Sequence, residues 1–182
     1  ACLDADDIAL PDRLERTLRY LEAHPECVAV GGAVEHMDET GRPLPGLLQS
    51  GPPEAADPAK APALEPYIVQ STLMARRASI ASIAGYRHVP NSEDSDLFWR
   101  LQERGTLVNL PEVLVKYRVH SASISSTLHN GRIMAVGSQL GALSALRRRS
   151  GKSDLAFAPA LHQALKQAPN LEAMAQLACE GL

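Results

Sequence analysis
The chain lacks the means to cross-link itself. Its three cysteines, Cys2, Cys27 and Cys179, are an odd number, and none forms a Cys-x-x-Cys pair. That argues against a disulfide framework or a zinc site, and for reduced thiols in a cytoplasmic setting. It also lacks a long hydrophobic run: nothing approaches the roughly 18 apolar residues that a spanning helix needs. There is no surplus of positive charge, and the formal net charge of −3 argues against a general nucleic-acid binder. No internal repeat is visible. What remains is ordinary for a soluble globular protein. The 182 residues, 45% hydrophobic and 21% charged, are enough for one domain with a real core.

The stretch Cys2-Leu3-Asp4-Ala5-Asp6-Asp7-Ile8 departs from that ordinary background. Three carboxylates crowd into four positions just before a helix-like segment. On an extended chain, Asp4 and Asp6 point to the same side and repel unless a positive charge sits between them. A hard divalent cation, Mg²⁺ or Mn²⁺, suits such oxygen ligands and keeps sites open for water and substrate phosphates. The alternative is an exposed acidic turn that leads into the next helix.

Residues 11–24 read as a helix, with Pro11 in its first turn and Leu14, Leu18 and Leu21 on one face. Residues 27–34 read as a buried strand whose Gly31-Gly32 pair signals a bulge or a close backbone approach. Residues 38–43 form a turn. The stretch 43–66 holds seven prolines and two glycines and reads as a long surface loop. A strand with a polar break at Gln70-Ser71-Thr72 follows, then a short helix over 77–84 ended by Gly85. Ser92 is a suitable N-cap for a helix over 93–103. Residues 106–110 and 113–119 read as two strands separated by Pro111. A long amphipathic helix begins near Arg132 and ends in Arg147-Arg148-Arg149, where cations suit the helix dipole. One or two Ala/Leu-rich helices split at Pro169 complete the chain. Arg118 and His120 alternate with Tyr117 and Val119 on a strand and so point one way. Together they can meet a diphosphate, Arg118 by a bidentate fork and His120 as a metal ligand or a donor.

Three segments carry a family resemblance. Leu3-Asp4-Ala5-Asp6-Asp7-Ile8-Ala9-Leu10-Pro11-Asp12-Arg13-Leu14 resembles the DXD region of family 2 glycosyltransferases, the inverting enzymes with the GT-A fold. Asn91-Ser92-Glu93-Asp94-Ser95-Asp96-Leu97-Phe98-Trp99-Arg100-Leu101 resembles the family's "ED" motif. Tyr117-Arg118-Val119-His120-Ser121-Ala122-Ser123-Ile124-Ser125 resembles the segment after it. The resemblance covers roughly residues 1–150. It implies an α/β fold: an incomplete GT-A (Rossmann-like) mixed sheet with flanking helices and a helical C-terminal region. The implied organisation is the C-terminal part of a catalytic domain over 1–128 and a helical extension over 129–182. Relatives carry about a hundred residues before the DXD, a typical domain scale, so the chain reads as the C-terminal part of a larger enzyme.

The resemblance also implies roles. Asp94 is the catalytic base and Glu93 supports it or the acceptor. Asp4, Asp6 and His120 hold Mg²⁺ or Mn²⁺. Asp4 and Arg118 contact the nucleotide. The implied activity is inverting transfer of a sugar from a nucleotide-diphosphate-sugar, a UDP-sugar, to a hydroxyl on a sugar or lipid-linked acceptor, in cell-surface polysaccharide or glycolipid synthesis. The QxxRW motif of processive synthases is missing, which favours transfer of single sugars. For Glu93, Asp94 and Asp96 a plainer reading stands alongside: carboxylates favour the first turn of any helix. The Arg76-Arg77 pair and the three arginines at 147–149 suggest peripheral attachment to anionic lipid, or solvated helix ends. Strands preceding the DXD would leave an open sheet edge in this chain, which suits a homodimer. A catalytically silent module that binds acceptor or a partner is the other class of function in view.

Overall fold
Residues 1–48 and 50–180 are described by the computed structural model of the chain, without the side chains at 47 and 125. Gln49, in the proline-rich stretch, lies outside the described residues. Contacts divide the chain into two compact units. The first comprises Ala1–Ala56, Pro66–Gly85 and Arg100–His120; the second comprises Asp57–Glu65, Tyr86–Trp99 and Ser121–Leu182. The segment with Glu93 and Asp94 groups with the C-terminal helices.

The first unit is an open mixed sheet with helices. Its strands are β1 (Ile8–Ala9), β2 (Cys27–Met37), β3 (Pro43–Leu48), β4 (Met74–Ala75) and β5 (Thr106–Arg118), and its helices include α1 (Arg13–Ala23) and α2 (Arg77–Ser82). The strands run in the order β1-β5-β2-β3, with β4 also paired to β2. β2 and β5 are parallel and the other pairings antiparallel. The first eight residues of β2 are all buried, which is why that strand reads as an unbroken apolar run instead of an alternation.

The two glycines of β2 admit close neighbours. A Cβ on Gly31 would lie 2.2 Å from Ile68 Cγ2 and 2.6 Å from Thr72 Oγ1, and one on Gly32 would lie 2.9 Å from the Glu112 carbonyl. Thr72 uses that access to accept the Gly32 N–H at 3.1 Å. The polar break at 70–72 is a 3₁₀ turn, not a strand interior.

Two proline-based expectations change. Residues 43–48 form an edge strand, where a proline's missing N–H faces no partner. β5 runs through Pro111, because residues 111 and 112 bulge out between the pairs Leu110–Gly32 and Val113–Ala33. Arg76 caps the end of α1: its guanidinium donates to the carbonyls of Leu21 at 2.5 Å, His24 at 3.1 Å and Cys27 at 2.8 Å. That use, a cation at a helix C-terminus, accounts for Arg76 without a lipid.

The second unit holds α3 (Glu93–Gln102) from its start to Trp99, and the whole of α4 (Leu128–Arg149), α5 (Pro159–Gln167) and α6 (Leu171–Glu180). α4 starts before Arg132 because Thr127 accepts the Asn130 N–H and caps it. Ile133, Leu165, Ala168 and Met174 form one buried cluster, and Leu140, Leu155 and Ala178 another. α4 presents Gly137 and Gly141 one turn apart to residues 90–96. The three arginines at its end are engaged. Arg147 donates to Ser153 O at 2.8 Å, Arg148 to Ser144 Oγ at 2.8 Å, and Arg149 lies 5.2 Å from the Trp99 ring. Trp99 and Phe98 are fully buried and serve as core.

Candidate active site
In the first unit, the acidic stretch is a turn, not an extended strand. The Asp7 N–H donates to the Asp4 carbonyl at 3.2 Å, so alternation does not set the directions of the carboxylates. Each has its own partner. Asp4 Oδ2 accepts from Ser71 Oγ at 2.9 Å. Asp6 Oδ2 lies 2.8 Å from His120 Nε2. Asp7 is turned inward and buried. Its Oδ1 accepts the Arg118 N–H at 2.8 Å, and its Oδ2 is buried with no hydrogen-bond partner among the described residues. Burial pushes the Asp7 carboxyl up from the ordinary range, whereas the hydrogen bond from His120 pulls Asp6 down.

Two arginines brace this turn. Arg13, only 3% exposed, donates to the carbonyl of Cys2 and, at 3.4 Å, to that of Leu73. Arg118 donates through Nε to Asp6 O at 2.7 Å and through Nη1 to Asp38 O at 3.1 Å and Glu39 O at 2.9 Å. Arg118 thus ties the acidic turn to the turn between β2 and β3 through Nε and Nη1. Ser71 and Arg13 escaped the sequence reading. Ser71 had left a trace as the polar break, and Arg13 lies within the first matched segment.

The expected ligand set Asp4, Asp6 and His120 is brought together only in part. Among the described residues, no group of three His, Cys, Asp or Glu side chains gathers as a metal cage, and Asp4 is committed to Ser71. The Asp6–His120 pair is hydrogen-bonded, so both side chains would hold a divalent ion only if the ion displaced that bond and Nε2 gave up its proton. Oδ2 and Nε2 are 2.8 Å apart, the distance of a charge-assisted hydrogen bond. Mg²⁺ characteristically takes one or two protein ligands and fills its shell with water and phosphate oxygens.

In the second unit, Glu93, Asp94 and Asp96 occupy the first turn of α3. They differ in surroundings: Glu93 is exposed, Asp94 is half-buried and Asp96 is fully buried. Asp94 Oδ1 accepts the Ser95 N–H at 2.8 Å. Burial, reinforced by the charges of Glu93 and Glu65, still pushes its carboxyl up to about 6. Ser92 stands at the N-cap position of α3, its carbonyl accepting the Asp96 N–H at 3.2 Å, and its hydroxyl donates to Met134 O at 2.8 Å. Asp96 is held by Arg87 through a two-pronged ion pair.

Comparison with known proteins agrees with the residues. Residues 1–83 match Glycosyl transferase family 2. The amylovoran biosynthesis glycosyltransferase AmsE of Erwinia amylovora is 32% identical over 126 residues, 69% of this chain and 46% of that protein. The putative glycosyltransferase EpsE of Bacillus subtilis is 31% identical over 131 residues, 65% of this chain and 42% of that protein. The O-antigen biosynthesis glycosyltransferase WbnJ of Escherichia coli is 30% identical over 126 residues, 68% and 48% respectively. The chain spans about half the length of the curated relatives it matches. No helix among the described residues is long and apolar enough to cross a membrane. With its mixed sheet, its braced acidic turn and these matches, the chain belongs to glycosyltransferase family 2.

Proposed function
We propose that the full-length protein is a metal-dependent, inverting glycosyltransferase. It moves one sugar from a nucleotide-diphosphate-sugar, a UDP-sugar, to a hydroxyl of a sugar or lipid-linked acceptor, in the synthesis of a cell-surface polysaccharide or glycolipid precursor. The observation that supports this reading most directly is the pairing of Asp6 with His120 across 114 positions of sequence. An exposed carboxylate and an imidazole are brought side by side there, two groups that a divalent ion would take in place of the hydrogen bond between them. Asp6 and His120 would hold Mg²⁺ or Mn²⁺, which when bound neutralises charge developing on the leaving nucleoside diphosphate.

The chain's own residues supply the rest. Asp4, held by Ser71, would contact the nucleotide. Arg118 and Arg13 keep the acidic turn rigid, so that the ligand pair is preorganised. Asp94 takes the proton of the acceptor hydroxyl as that oxygen attacks the anomeric carbon, and Glu93, exposed beside it, binds the acceptor. A carboxyl near 6 is ionised at neutral pH yet more basic than an ordinary aspartate, which suits a general base. We place the enzyme on the cytoplasmic side, where nucleotide-sugars are consumed.

Calorimetry on the full-length protein tests this pair. UDP should bind in the presence of Mn²⁺, and Asp6→Asn or His120→Ala should weaken that binding by about 10-fold or more. Without the metal, the variants and the wild type should bind UDP alike. Equal affinity in all three proteins with Mn²⁺ would remove the ligand assignment. Absence of UDP binding in the wild type would favour a silent module that binds only acceptor or partner.

A further inference from the structure
Arg87 lies in the stretch before α3 and takes no part in the chemistry proposed above. Its guanidinium is nevertheless engaged on every side. Nε donates to Asp96 Oδ2 at 2.9 Å and Nη2 to Asp96 Oδ1. Nη1 donates to Asp154 Oδ2 at 2.9 Å and Leu155 O at 3.3 Å, and Nη2 also reaches Ser144 Oγ at 3.0 Å. The Phe157 ring covers the group, 4.8 Å from its central carbon. Asp154 is itself held by Ser144, by Arg148 at 3.1 Å and by the Leu155 N–H at 2.7 Å. One cation thus joins the first turn of α3, the C-terminal half of α4 and the chain beyond α4.

Two observations connect this cluster to Asp94. Asp96 is two positions after Asp94 on the same turn, and it is fully buried. The Ser92 hydroxyl, at the N-cap position of that turn, is tied to Met134 O on α4. The placement of the turn depends on this bond, on the Arg87 fork and on the close approach of Asp96 to Gly141, where a Cβ would meet Asp96 at 3.5–3.6 Å. Buried ionic groups add little net stability compared with an apolar filling, whereas a two-pronged Arg–carboxylate pair adds geometric specificity. A planar fork with five donors suits that task, whereas an ammonium does not.

We infer that Arg87 is a positioning residue for Asp94, and that Asp154, Leu155 and Phe157, in the chain after α4, complete its clamp. The inference rests on the reading of Asp94 as the base. It makes the C-terminal region part of the frame that aims the reacting carboxylate, not an appendage.

The test is carboxyl NMR of Asp94 in the full-length protein, with transfer kinetics alongside. The variants are Asp154→Asn and Arg87→Lys, each checked for folding by circular dichroism. The charged groups that face Asp94, Glu93 on its own helix and Glu65 from residues 57–65, are left intact. The wild-type carboxyl should titrate near about 6. In both variants its midpoint should fall by roughly one unit as water reaches it, and Asp154→Glu should restore it. kcat should fall by about 10-fold while the donor KM changes by less than about twofold. An unmoved Asp94 midpoint in folded Asp154→Asn overturns the inference. If Arg87→Lys fails to fold, Asp154→Asn decides alone, since it leaves the Arg87–Asp96 fork in place. Wild-type turnover by Asp94→Asn would instead overturn the base assignment, and the NMR midpoints would still judge the clamp.

Discussion

Replacing Asp94 by Asn is expected to abolish transfer and stabilise the fold at the same time. The two effects share one cause. Burial near Glu93 and Glu65 raises the Asp94 carboxyl from an ordinary value to about 6. A carboxyl raised in the folded state holds its proton more tightly there than in the unfolded chain. Its favourable contribution is therefore complete below about pH 4 and is lost as pH rises through 6. At pH 7.5 the wild type carries an ionised, half-buried carboxylate at a cost of about 2 kcal/mol, discounted for its partial exposure. Asn keeps the oxygen that accepts the Ser95 N–H and carries no charge. Thermal melts at pH 7.5 should place Asp94→Asn about 4–8 °C above the wild type, and the gap should close by pH 4. kcat should fall by about 10³-fold, the scale of losing a general base. In the wild type, kcat should decline below pH 6 as the base takes up its proton. A variant that is as stable as the wild type at both pH values would mean that Asp94 is not held in a costly state. One that keeps full turnover would mean that it is not the base.

Such a trade is what a reaction site should look like: a group held at some expense because its chemistry requires it. The plainer reading of the ED pair, carboxylates decorating a helix start, predicts the opposite sign. A carboxylate serving the helix dipole stabilises when ionised, so its removal would lower stability at neutral pH. The first turn of α3 contains both kinds of environment. Glu93 is exposed where the dipole favours it, whereas Asp94 sits where desolvation outweighs the dipole.

Helix α3 was legible because its apolar residues repeat at helical spacing, and β2 because it is apolar throughout; the face read for α1 was wrong, since Leu14 and Leu18 are exposed and Arg13, Thr17 and Leu21 are buried. The proline-rich strands were not legible: a proline vetoes a central strand, but β3 is an edge and β5 bulges at Pro111. At the site, the residue types and their grouping were legible, and the partners only in part. Asp4, Asp6 and Asp7 look interchangeable in sequence. Their difference comes from Ser71, His120 and Arg118, which lie 67 to 114 positions away. Arg118 read as a phosphate fork because its nearest visible neighbour was His120. The carbonyls that take its Nε and Nη1 belong to Asp6, Asp38 and Glu39, and backbone acceptors leave no trace in residue type. Arg87 and Asp154 were invisible for the same reason. A polar residue that faces inward looks like a surface residue until the elements around it are placed.

The glycines of α4 give a last expectation in which two ordinary effects compete. Alanine is worth roughly 1 kcal/mol more than glycine inside a helix, so on propensity alone every Gly→Ala change in α4 should stabilise. For Gly131 nothing lies within 4 Å of the added carbon, and Gly131→Ala should raise stability by up to about 1 kcal/mol. At Gly137 the same carbon would lie 2.2 Å from the Pro90 carbonyl oxygen, 3.0 Å from Ser92 Oγ and 3.1 Å from Ser92 Cβ. The nearest atom is backbone and cannot rotate away, so the strand of chain at 90–92 has to move by about an ångström. Overpacking of this kind costs about 1–3 kcal/mol, and displacement would also stretch the Ser92–Met134 hydrogen bond of 2.8 Å. The clash wins, and Gly137→Ala should destabilise by about 2 kcal/mol net in urea unfolding. The consequence for catalysis is larger than for stability. Pro90 to Ser92 leads directly into Glu93 and Asp94, and an ångström of misplacement at a reacting group costs about 10²-fold in rate. The pair of variants thus separates helix propensity from site placement on one helix: Gly131→Ala more stable with unchanged kcat, Gly137→Ala less stable with kcat reduced about 10²-fold. Equal stabilisation by both would mean that α4 does not set the position of the residues before the base.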